Sequence, residues 1–135
     1  MRSRHVLAVV AASLLAACAP AMPKASMADR DPLRRAVVED VADGMSRMFD
    51  AASTPLVVTR EPGGAFDTAL RAALRGKGFT FEAAEAQGAA FDCRVYLLEG
   101  RMYRVTVRVG KTELTRAWVV DGAAAYAGGA WVRRE

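Results

Sequence analysis

The chain has 135 residues, of which 19 are Lys or Arg and 15 are Asp or Glu, for a formal net charge of +4. It holds one histidine, His5, and two cysteines, Cys18 and Cys93. So even a balance lacks the strongly basic patch or stripe of a nucleic-acid-binding domain, and histidine- or thiol-based chemistry has few side chains to work with.

The N-terminus accounts for most of those. Arg2, Arg4 and His5 precede an apolar run from Val6 to Leu15. A bilayer span needs about 20 apolar residues, so this run has the length of a signal-peptide core instead. The run ends in Leu15-Ala16-Ala17-Cys18, which resembles the bacterial lipobox, where the cysteine becomes the first mature residue and carries lipid. An ordinary secreted protein would be cleaved elsewhere, for instance after the CAPA segment. The register of Leu15, the two alanines and Cys18 favours lipidation. Ala19 resembles the outer-membrane sort, whereas Asp at that position retains enterobacterial lipoproteins in the inner membrane. Each buried methylene of an acyl chain contributes about 0.8 kcal/mol, so several chains anchor a protein in effect permanently.

Loss of residues 1–17 removes Arg2 and Arg4, which leaves 17 basic against 15 acidic side chains and a charge of +2. His5 goes with them, and Cys93 becomes the free thiol. No histidine general base, Ser-His-Asp triad, Cys-His pair or His/Cys zinc site can then be assembled. The remaining carboxylate groups, Glu39/Asp40/Asp43 and Glu82/Glu85, read as a solvated helix face and a loop. Residues 18–30 read as a lipidated cysteine and a flexible tether, APAMPKASMADR, long enough at about 3.5 Å per residue to reach some 40 Å from the lipid. Residues 31–135 suit one periplasmic domain with one core.

That domain opens with Asp31-Pro32, a capping residue and a proline at the first helical position. Leu33, Val37, Val41, Met45 and Met48/Phe49 follow at helical spacing. STPLVVT (53–59) is a short β-branched strand, and EPGG (61–64) is a turn that lacks the Gly-Lys-Ser/Thr ending of a phosphate loop. Phe66, Ala69, Leu70, Ala73 and Leu74 line one face of a second helix that Gly76 and Gly78 stop. FTFEA (79–83) is the next strand, parallel to the first through a right-handed crossover. AEAQGAA (84–90) is a loop.

The last third reads as a meander. Phe91, Cys93, Val95 and Leu97 share one face, as do Tyr103, Val105, Val107 and Val109. A two-residue Glu99-Gly100 loop would mix these faces, so the spacing favours Leu98-Glu99-Gly100, with glycine at the third position. That pairs Val95 with Tyr103, Cys93 with Val105 and Phe91 with Val107. Gly110-Lys111 fits a type II′ turn and pairs Val107 with Leu114, Val105 with Arg116 and Tyr103 with Trp118, with Arg108 opposite Glu113 outside. The expected architecture is α+β, two helices on one face of a mostly antiparallel sheet of about five strands. Cys93 falls on the core face as a small buried hydrophobe.

Two arginines stand out in this register. Arg116 lies on the apolar face, where an unpaired guanidinium costs several kcal/mol, so it must meet a carboxylate, helix-terminal carbonyls or the sheet edge past Trp118. Arg94 faces Arg104 on the outer side, with Arg108 further along and Tyr96 and Met102 beside them. Like charges opposed across strands destabilise. Arg94, Tyr96, Met102, Arg104 and Arg108 are therefore the candidate docking surface for an acidic segment of a partner.

MYRVTVRVG (102–110), LTRAW (114–118) and WVRRE (131–135) resemble the TrbH family of conjugal transfer lipoproteins. ASTPLVV and FDTALRAALRGKGF are similar to it in order and spacing. The resemblance implies an accessory, non-enzymatic part of the mating-pair-formation machinery, a type IV secretion system, with no cofactor or metal. It further implies an outer-membrane lipoprotein beside proteins of the TrbG and TrbI families, which is fold- and system-level analogy. The competing reading is a lipoprotein that activates or inhibits a cell-wall enzyme. A carboxylate-only cell-wall hydrolase is the third.

Overall fold

The computed structural model describes residues 31–61 and 63–135. Residues 1–30, which hold the expected signal peptide, Cys18 and tether, lie outside the described residues, as does Pro62 of the EPGG turn. No helix among the described residues is long and apolar enough to cross a membrane.

Helix α1 (Asp31–Met48) starts at the Asp-Pro pair. Leu33, Val37, Val41 and Met45 recur on one stripe and are almost fully buried, and Val38 and Ala42 widen it. Arg47 in the last turn suits the negative end of the helix dipole. A short 3-10 turn, Ala51–Ser53, leads to strand β1 (Leu56–Val58). Helix α2 (Gly64–Gly76) buries Phe66, Leu70 and Leu74. Its end is a Schellman motif: Phe79 N–H donates to Leu74 O at 3.1 Å and Gly78 N–H to Arg75 O at 3.0 Å. Gly78 takes the left-handed φ of +95° that this motif requires. Phe79, 2% exposed, then drops onto buried Leu74 and aims the chain into β2 (Phe81–Glu82).

Strands β1 and β2 are parallel, with Leu56 beside Phe81, as the crossover predicts. Strand β3 (Ala89–Glu99) also runs parallel to β1, pairing Leu56 with Ala89 and Val58 with Phe91. Strands β4 (Met102–Val109), β5 (Thr112–Asp121), β6 (Ala124–Ala127) and β7 (Val132–Arg134) complete the sheet. Its order is β2-β1-β3-β4-β5-β6, with β7 also on β5. Among the described residues the sheet is therefore mixed and has seven strands, not mostly antiparallel with about five. Two features conceal the difference. Strand β3 begins in Ala89-Ala90, and β6 is built from alanines around Tyr126, so neither start carries an apolar alternation. Both pair through the backbone.

The β3–β4 register also differs from the expected one. Val95 faces Val105, Cys93 faces Val107 and Phe91 faces Val109, two positions from the predicted partners. The loop is the two-residue Gly100-Arg101, and the register shift between Leu97 and Glu99 makes Leu98 a bulge. One extra residue on one strand keeps the apolar faces together while the loop shortens, and strict alternation cannot reveal it. The turns at Gly100, Gly110 and Gly122 each place glycine first with φ of +54°, +61° and +59°, as a type II′ turn demands. The β4–β5 register is as predicted, including Val105 with Arg116, Tyr103 with Trp118 and Arg108 with Glu113.

Both helices lie on the inner face. Tyr103, Val105, Val107, Val109, Leu114 and Trp118 meet the α1 and α2 stripes in a common core. Burying each such side chain contributes roughly 1.5–3 kcal/mol. The opposite face stays open to solvent.

Candidate docking surface

The outer face carries the candidate residues, but not in the expected arrangement. Strand alternation puts Asp92, Arg94 and Tyr96 of β3 outward, against Arg108, Thr106 and Arg104 of β4. Arg94 thus faces Thr106, and the predicted Arg94–Arg104 opposition does not occur, because the Gly100-Arg101 turn and the Leu98 bulge together move the register by two. Arg94 Nε donates instead to Asp92 Oδ2 at 2.7 Å, and Arg108 Nε to Glu113 Oε2 at 3.0 Å. Tyr96 sits directly opposite Arg104. Among the described residues, the Arg104 side chain makes no hydrogen bond or ion pair. Tyr96, Leu98 and Met102 are each 45–46% exposed beside it.

Together Tyr96, Leu98, Arg104, Thr106, Arg108 and Glu113 line an open groove of about 390 Å³. One guanidinium with unused donors, flanked by an aromatic ring and a flexible thioether, can accept a carboxylate through a charge-assisted hydrogen bond and an apolar side chain beside it. Tyr and Arg are also the side chains enriched at interface hot spots.

A cluster around Arg60, which the sequence reading missed, supports this face from its edge. Arg60 Nε bonds Asp92 Oδ1 at 2.9 Å and Nη1 bonds Asp67 Oδ2 at 2.9 Å. Its Nη2 donates to Cys93 O at 3.2 Å, while Gly63 N–H donates to Asp67 Oδ2 at 2.6 Å. The loop after β1, the start of α2 and the middle of β3 are thereby tied together. Burial opposes ionisation of Asp92, but the hydrogen bonds from Arg60 and Arg94 outweigh it and hold the carboxyl below its ordinary range. The only sequence signal was an aspartate in the first turn of α2. Cys93 lies behind this cluster, 3% exposed. Burial pushes its thiol far up, so it is an inert core residue.

Arg116 is satisfied from the inner side. Its Nη1 reaches Asp40 Oδ1 of α1 at 2.5 Å and its Nε donates to Gly129 O at 2.6 Å. The guanidinium also stands 5.9 Å from the centroid of the Trp131 ring. Of the three carboxylates read as a solvated helix face, Glu39 and Asp43 are exposed, but Asp40 belongs to this part-buried pair. Burial raises the Asp40 pKa despite the pull of Arg116. Asp40 Oδ2 and Trp131 Nε1 are both buried and fall short of a well-formed hydrogen bond, though the indole N–H still favours the charged carboxylate. One turn on, Gly44 makes room for the indole: a Cβ there would stand 3.0 Å from Trp131 Nε1.

Cys18, the expected lipid site, lies outside the described residues. Among the described residues, no group of three or more His, Cys, Asp or Glu side chains gathers as a metal-ligand set.

The family model for the conjugal transfer protein TrbH matches residues 19–135. No curated protein and no solved structure matches the chain.

Proposed function

The chain belongs to the TrbH family of conjugal transfer proteins, and we propose that it acts as a non-catalytic lipoprotein of the mating-pair-formation apparatus, a type IV secretion system. In this reading Cys18 carries the lipid, the outer membrane holds the anchor, and residues 31–135 work in the periplasm beside TrbG-like and TrbI-like proteins. The observation that carries the reading is the family match across residues 19–135. The lipobox at residues 15–18 supports the anchor. The packing of both helices on one face of the sheet supports docking through the other, because that face is left with Tyr96, Met102 and an unpartnered Arg104. An acidic segment of a neighbouring component docks there, its carboxylate on Arg104 and an apolar side chain against Tyr96.

Transfer frequency from donor cells tests the role. Deletion of the gene is expected to lower plasmid transfer, and the wild-type chain supplied in trans to restore it. Unchanged transfer together with altered cell-wall turnover would overturn this reading in favour of a cell-wall enzyme regulator.

A further inference from the structure

Strand β3 is unevenly covered. It runs from Ala89 to Glu99 and is paired with β4 from Phe91 to Glu99, but β1 covers only Ala89, Ala90 and Phe91 on the other edge. The orientation of the uncovered part follows from two bonds. Ala89 N–H donates to Pro55 O on the β1 side, and Cys93 O accepts from Arg60 Nη2 on that same side. Alternate residues of a strand aim their backbone groups at opposite edges, so Val95 and Leu97 present two N–H and two C=O groups outward. Among the described residues, neither takes part in a backbone hydrogen bond beyond the ladders. The side chains along this edge are unusually apolar for an open one: Tyr96, Leu97 and Leu98 are 45%, 46% and 45% exposed. Natural edges are normally shielded by charge, proline or a covering loop.

We propose that a second copy of this chain pairs antiparallel along this edge, centred on Tyr96. The strand is self-complementary in that register. Val95 of each copy faces Leu97 of the other, so four N–H···O bonds satisfy every outward group of both residues. Those bonds do not call on Cys93 O, which Arg60 already occupies. Tyr96 meets Tyr96 of the second copy on the outer face, and Val95 meets Leu97 on the inner. Charge complementarity fixes the same register. Arg94 falls opposite the Leu98–Glu99 bulge of the second copy, and Glu99 shares the outer face with its ladder neighbour Met102. Two reciprocal Arg94–Glu99 contacts result, with no like charges opposed. A seam of one strand and these side chains is smaller than the roughly 800 Å² per partner of a standard interface. Association is therefore concentration-dependent, and confinement on one surface raises the effective concentration that drives it. Pairing leaves Arg104 accessible and joins two outer faces into one.

The test uses the full chain in the membranes of producing cells. Tyr96→Cys under mild oxidation is expected to give a disulfide-linked dimer on a non-reducing gel, absent from the wild type. Glu85→Cys, in the exposed loop before β3, is expected to give none. Leu97→Pro removes one outward N–H without touching the β4 ladder, and Glu99→Arg sets arginine against Arg94. Each is expected to lower the Tyr96→Cys dimer at least fivefold. Tyr96→Cys that is fully labelled by a maleimide yet forms no dimer overturns the proposal. So does a dimer yield unchanged by both Leu97→Pro and Glu99→Arg, or matched by Glu85→Cys.

Discussion

Asp40 of α1 and Arg116 of β5 meet at 2.5 Å with side chains only 15% and 20% exposed, which fixes the first helix across the sheet. Removal of one partner leaves the other charge in a dry site, at a cost of about 3–5 kcal/mol when fully buried. With a little exposure remaining, Arg116→Met is expected to destabilise the fold by about 2–3 kcal/mol in urea unfolding. The double change Asp40→Leu, Arg116→Met should recover most of that loss, because the double variant leaves no unpaired charge behind. An Arg116→Met midpoint equal to the wild type would show the pair to be incidental.

Acid titration separates two part-buried carboxylates, Asp92 and Asp40, by sign. The folded-state pKa of Asp92 lies below its ordinary value of 3.8, so its stabilisation is present above that pH and is lost as the pH falls through the lower folded value. Asp40 behaves oppositely. Its folded pKa is raised, so stability falls as pH climbs from 3.8 through the raised value. Asp92→Asn is expected to flatten the loss of stability below about pH 4, measured as melting temperature against pH, and an unaltered acid limb would refute the assignment.

Gly44 sits in mid-helix, where Ala would ordinarily add about 1 kcal/mol. A Cβ there meets Trp131 Nε1 at 3.0 Å and Met48 Cε at 3.4 Å. Gly44→Ala is therefore expected to show no gain, and Gly44→Val to lose about 1–3 kcal/mol through overpacking. Thermal melts of the two variants check this directly, and a stabilised Gly44→Ala would mean that Trp131 does not pack as described.

On the outer face, Arg104→Glu should weaken binding to other transfer components and leave the fold's stability within about 0.5 kcal/mol, since the Arg104 side chain supports nothing within the fold. Wild-type binding should also weaken with salt, as exposed ion pairs do. Copurification at wild-type levels would move the docking site elsewhere.

Much of this fold was legible because single residues carry strong physical constraints. The α1 and α2 stripes, the Gly78 stop and the Gly110-Lys111 turn each followed from spacing or φ, and the β4–β5 register fell out of them. That register alone required a partner for Arg116, though it could not say which: Asp40 stands 76 positions away. What stayed hidden had no local signature. The Leu98 bulge leaves alternation intact on both sides, and it moved Arg94 from Arg104 to Thr106. Strand β6 is mostly alanine, and Arg60 gathers Asp67 and Asp92 only once three elements have met.

Lipid anchoring at Cys18 and retention within the transfer apparatus are what we propose for this TrbH-family chain. Affinity recovery of the tagged chain from detergent-solubilised donor membranes, quantified for TrbG-like and TrbI-like proteins and compared with Cys18→Ser, tests it most directly. The wild type is expected to bring both proteins down, and Cys18→Ser to lose most of that recovery and remain as an uncleaved precursor. Recovery of neither protein with the wild type, or equal recovery with a normally matured Cys18→Ser chain, would contradict the account.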